Sequence, residues 1–139
     1  MVDLEKIKYR IAEIKENLHK IKKYASLADK EFWADERNIL SVKHLLLVSI
    51  EACGNICVHI SAKKIFKAAS SFAECFENLY KEGVIEENLS DRLRNMARFR
   101  NILVHRYWDI DERKILDYAR NNLDDFDQFL KAIVKYLDI

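Results

Sequence analysis

Leu4, Ile7, Ile11, Ile14, Leu18, Ile21 and Ala25 follow one another at spacings of three and four, with Lys and Glu filling the opposite side. That period places one apolar seam along a helix, and its heptad spacing predicts lengthwise packing against a neighbour. The stretch from about Asp35 to Ile60 is apolar on most of its circumference, which predicts a central helix. A shorter third helix is predicted from Ser71, with Glu74 three residues on as a capping box. Phe72, Cys75, Phe76 and Leu79 form its inner face, and Gly83 is its stop signal. The fourth helix is predicted from about Glu87 to His105, with Leu89, Leu93, Met96 and Leu103 on its inward line. Trp108-Asp109-Ile110-Asp111 breaks the pattern, and Asp111 or Asp109 can cap a last helix. That helix carries Leu116, Ala119, Leu123, Phe126, Leu130, Ile133 and Leu137 on a regular seam. Together these elements predict an all-α, up-and-down bundle of about five helices, built as a single domain over residues 1–139.

Composition agrees with the pattern. The chain has no proline and only two glycines, Gly54 and Gly83, too few for the many turns of a sandwich or barrel. Gly54 lies inside the second helix, where glycine costs about 1 kcal/mol relative to alanine, so a second backbone is expected to approach there. A net charge of +1 excludes a general polyanion binder and leaves any attraction for nucleic acid to a local patch. Cys53, Cys57 and Cys75 have no zinc-site spacing. They read as reduced core residues of a cytoplasmic protein, with no metal and no cofactor expected. The N-terminus has no signal-like apolar run. The apolar stretch Ile39 to Ile60 is broken by Lys43, His44, Glu51, Asn55 and His59, as in a buried helix rather than a membrane span. His44, Glu51, Asn55 and His59 form a polar stripe that either faces solvent or lines a site.

The candidate chemistry lies in the fourth helix. Its inward line runs Leu89, Leu93, Met96, Arg100, Leu103, Tyr107, so a guanidinium stands where an apolar residue is called for. A buried unpaired charge would cost several kcal/mol; Arg100 therefore meets a carboxylate such as Glu51 or faces a polar cleft. Residues 91–108 hold Arg92, Arg94, Arg98, Arg100 and Arg106 against Asp91 and no other acid. Arginine suits bidentate phosphate binding, and Tyr107 and Trp108 offer stacking surface. Cations at a helix C-terminus also simply complement its dipole. His105 is the one histidine in the patch, with an ordinary pKa near 6.5 that suits proton transfer. Asn101 lies one turn before it. Arg100 and His105, five residues apart, are about 140° apart on an ideal helix. They converge only if the helix ends near His105 or a second copy completes the site.

The run Leu93 to Asp111 resembles the signature of HepT-like HEPN proteins: an Arg, a polar residue, three further positions, a His, any residue and a Tyr. Arg100, Asn101, His105 and Tyr107 match each element. Ser49 to Ile56 resembles that family's second helix. Arg106 stands where many relatives carry a small residue.

The resemblance implies a homodimer whose two motif copies share a cationic cleft. It further implies a metal-independent endoribonuclease toxin of a type VII-like HEPN/MNT toxin–antitoxin pair. RNA would be cut by 2′-hydroxyl attack, with Arg100, Asn101 and His105 catalytic. Arg94, Arg98, Arg106 and Tyr107 would bind substrate, and Glu51 and Asn55 would support the site. The implied antitoxin is a minimal nucleotidyltransferase of the MntA type that silences the toxin by transferring AMP to Tyr107. A non-catalytic helical adaptor, or a nucleotide-binding subunit of such a transferase, is the alternative.

Overall fold

The computed structural model describes residues 1–106 and 108–139. The described residues form seven α-helices and no strand: α1 Leu4–Ala25, α2 Asp29–Ala34, α3 Glu36–Ile60, α4 Phe72–Lys81, α5 Glu87–His105, α6 Glu112–Asn121 and α7 Asp124–Leu137. A π-helical turn, Ser61–Ile65, extends α3. The all-helical class is as expected, but seven helices replace five. The seam from Leu116 to Ile133 is real, yet Asn122 leaves helical geometry (φ −119°, ψ 6°) and splits it into α6 and α7. Leu123 is buried at the junction, so the seam crosses the break in phase. Helix α2 has no side-chain cap. It stands because Phe32 is fully buried and because Arg120 clamps the turn before it. The Arg120 guanidinium donates to the carbonyls of Ala25 (3.1 Å) and Leu27 (2.9 Å) and to Asp29 (2.6 Å), satisfying one carbonyl that the end of α1 leaves open and one in the turn that follows.

Helix α3 is long and apolar enough to cross a membrane by composition, but it packs against α1, α2, α4, α5 and α6. Its residues Ile39, Val42, Leu46, Ile50, Ile56 and Ile60 form the centre of one continuous core. Cys53, Cys57 and Cys75 are free thiols in that core. Burial pushes the Cys53 and Cys57 thiols up, which keeps them protonated and unreactive.

The predicted caps form with one variation. The Ser71 hydroxyl accepts from Glu74 N–H (3.1 Å), but the Glu74 carboxylate turns back to the N–H and hydroxyl of Ser70. Gly83 takes φ +80°, the left-handed stop after α4. Of the two candidates before α6, Asp111 is the cap: its carboxylate accepts from Arg113 N–H (3.0 Å). Lys43, nearly buried on α3, pairs with Glu112 at 2.6 Å and ties the start of α6 to the core.

His59 has a structural task. Its Nε2 accepts from the backbone N–H of Asp3 (2.9 Å) at the start of α1. Burial, then Lys6, hold its pKa below the usual histidine value. A depressed histidine pKa means that the unfolded chain binds the proton more readily. Its contribution to stability is therefore full above about pH 6.5 and lost as pH falls through the folded value. The denaturant midpoint of the wild type is expected to fall between pH 7.5 and 5.5. His59→Gln, which does not titrate, should flatten that fall, and parallel curves would refute the assignment.

Candidate functional site

Helix α5 buries Leu89, Leu93, Met96, Ala97 and Leu103, and Arg100 stands on that line as the sequence indicates. Its side chain is 26% exposed, and Nη2 meets Glu51 Oε1 on α3 at 3.2 Å. Nη1 donates to Asn101 Oδ1 at 3.2 Å, and the guanidinium lies 5.4 Å above the Phe72 ring, a cation–π contact. Its Nε is buried without a hydrogen-bond acceptor among the described residues. Arg100 is therefore held by a carboxylate, an amide and an aromatic face at once.

Gly54 explains how the aromatic face fits. A Cβ there would lie 2.6 Å from three atoms of the Phe72 ring. The expected close neighbour is thus a side chain, not a second backbone. Gly54→Ala should gain about 1 kcal/mol of helix propensity but lose about 1–3 kcal/mol to overpacking. A lowered melting temperature is the predicted outcome. A raised one would show that Phe72 moves aside freely.

The five arginines divide. Arg92 belongs to the scaffold: it pairs with buried Asp125 on α7 and donates to Gln128 (2.7 Å) and Asn88 (2.8 Å). Arg94 pairs with Asp91, and Arg98 bonds Asn95. Arg94, Arg98, Asn101 and His105 are spaced four, three and four apart, so they share one flank of α5. Asn101, Arg98 and His105 are exposed on it. Arg106 does not join this flank. With Phe99 and Ile102 it borders a groove of about 580 Å³, beside Asp109, Asp111 and Asp117. Lys114 lines the same groove, so the surroundings of Arg106 mix both signs of charge.

Helix α5 is regular through His105 and ends there, with Arg106 at φ −125°, ψ 35°. Arg100 and His105 thus keep about the 140° separation of an ideal helix. Asn101 lies between them, bonded to the first. His105 is exposed at the helix end. Glu51 is half-buried and Asn55 exposed one turn further along α3, with His44 exposed two turns before Glu51. Trp108 is 92% exposed. Tyr107 lies outside the described residues.

A family model, Ribonuclease HepT-like, matches residues 14–133. The chain belongs to the HepT-like family. It is 28% identical to the mRNA nuclease HepT of Shewanella oneidensis over 127 residues, 89% of this chain and 92% of that one. The family likeness extends to structure. The tri-AMPylated Shewanella oneidensis HEPN toxin, solved in complex with an MNT antitoxin, superposes with a TM-score of 0.86 at 30% identity, over 97% of this chain and 99% of that one. A cytosolic protein of unknown function from Bacillus subtilis, YutE, shares the fold with a TM-score of 0.86 at 22% identity, covering 99% of this chain and 92% of that one.

Proposed function

We propose that this chain is the ribonuclease toxin of a HEPN/MNT toxin–antitoxin pair, acting in the cytoplasm as a homodimer. The observation that carries the reading is Arg100, fixed between Glu51, Asn101 and Phe72, on a helix that ends in exposed His105. The 2′-hydroxyl of RNA is the nucleophile. His105 acts as general base on its proton or as general acid toward the leaving 5′-oxygen, with solvent water completing the other transfer, a role worth roughly 10²–10⁴-fold. Arg100 meets charge growing on the phosphoryl oxygens, and Asn101 orients phosphate or imidazole. The products are a 2′,3′-cyclic phosphate and a 5′-hydroxyl. The chemistry calls for no metal.

The helical separation of Arg100 and His105 supports a dimeric site, in which one copy's arginine and the other's histidine reach the same phosphate. An exposed or half-exposed row on α3, including Leu40, His44, Leu47, Glu51, Asn55 and Val58, is available for that contact. Arg94 and Arg98 extend the cationic flank for substrate. AMP transfer from an MntA-like nucleotidyltransferase to Tyr107 would add bulk and negative charge to a cationic motif and repel RNA. The AMPylated state of the Shewanella toxin supports this step.

A non-catalytic adaptor is the second reading, favoured by one fact: the charge of Arg100 already has a carboxylate partner in Glu51. Expression in bacteria separates the two. The chain alone should arrest growth, and His105→Ala should relieve the arrest. No arrest, with antitoxin binding intact in His105→Ala, would establish the adaptor.

A further inference from the structure

The segment that joins α3 to α4 displays an aromatic ring that the core does not use. Phe66 is 84% exposed and sits at φ +60°, a left-handed conformation that costs a non-glycine residue roughly 1–2 kcal/mol. The surrounding structure enforces it. The π turn ends with Phe66 N–H and Lys67 N–H (2.9 Å) both bonded to the Ser61 carbonyl. The buried Ser61 hydroxyl donates to the Lys67 carbonyl (2.8 Å) and accepts from Asn78 (3.5 Å). Buried polar groups thus fix a strained backbone whose outward product is a solvent-facing ring, the kind of feature that clusters at functional positions.

The segment that carries it is cationic. Residues 60–73 hold Lys63, Lys64 and Lys67 and no acidic residue. Lys64 is turned away, against the Tyr136 carbonyl (3.5 Å) and ring (4.4 Å); Lys63 and Lys67 are exposed. The segment then leads straight into Phe72, the platform of Arg100. Six residues span at most roughly 20 Å, so Phe66 lies within that distance of Phe72.

We propose that Phe66, flanked by Lys63 and Lys67, is a subsite for single-stranded RNA, stacking an unpaired base and holding its neighbouring phosphates beyond the cleavage site. The proposal rests on the ribonuclease reading. Aromatic stacking with interleaved cations is the usual way to hold a single strand without reading its sequence. A lone ring is a poor membrane anchor, since interfacial segments bury a whole apolar face.

The test is fluorescence anisotropy with a labelled single-stranded RNA, using the full chain carrying His105→Ala so that RNA stays intact. Adding Phe66→Ala should weaken binding about tenfold, the size of one lost stack, whereas Phe66→Trp should retain affinity. Lys63→Ala with Lys67→Ala should reduce the salt slope of log K by about 1.4, near 0.7 for each phosphate contact. Unchanged affinity in Phe66→Ala, while the wild type cleaves RNA, overturns the subsite and leaves the ribonuclease reading intact. Neither binding nor cleavage by any form overturns both. If Phe66→Ala instead reduces binding to anionic vesicles or to the antitoxin with RNA affinity unchanged, the ring belongs to a lipid or protein surface and the proposal fails.

Discussion

His105→Ala is expected to lower RNA cleavage by roughly 10²–10⁴-fold, the span of a lost general acid–base group, with little change in stability. The loss follows from an imidazole, the side chain best suited to proton transfer at neutral pH, at an exposed helix end in the motif that also carries Arg100. The unchanged stability follows because the His105 side chain is exposed and makes no hydrogen bond or ion pair among the described residues. Surface substitutions of that kind usually stay within about 0.5 kcal/mol. Cleavage rate and denaturant midpoint on the same preparation check both. A fall in both together would show that His105 holds the helix end rather than the proton.

Arg100→Ala is expected to cost about 10²–10³-fold in cleavage, as when one donor to a developing oxyanion is removed. The stability cost should be far smaller, about 1 kcal/mol, because the Arg100–Glu51 pair is only part-buried and solvent screens it. Arg100→Lys should recover only part of the activity. A lysine keeps the charge but cannot meet Glu51, Asn101 and a phosphate with one planar fork. Glu51→Gln separates positioning from charge: the amide still accepts from Arg100 but no longer fixes its position electrostatically, so a loss under tenfold is anticipated. Wild-type cleavage by Arg100→Ala, with only the unfolding midpoint lowered, would make the guanidinium structural.

Much of this was legible in the sequence because single-residue signals agreed with their tertiary surroundings. The seam from Leu4 to Ala25, the stop at Gly83 and the cap at Asp111 each depend on local geometry. Arg100 was conspicuous for the opposite reason: it breaks an apolar line, and Glu51, 49 residues away, answers it. What stayed hidden depends on partners that no local pattern names. Asp125 claims Arg92 from 33 residues away, and this removes one arginine from the cationic stripe. Phe72 rather than a backbone crowds Gly54. Helix α2 is anchored by the burial of Phe32 and by Arg120 from a distant helix. The break at Asn122 escapes periodicity because Leu123 keeps the seam in phase. Arg106, which the sequence groups with the patch, borders a groove lined by aspartates and Lys114, a neighbourhood that no local pattern names.

The central claim, that the motif cuts RNA by its own side chains, is tested most directly by incubating the purified chain with RNA in EDTA. Intact mass first confirms that Tyr107 is unmodified, and His105→Ala runs beside the wild type. Cleavage by the wild type alone, leaving 2′,3′-cyclic phosphate and 5′-hydroxyl ends, is the predicted result. Equal cleavage by both proteins, or none by either across messenger and transfer RNA, would contradict it.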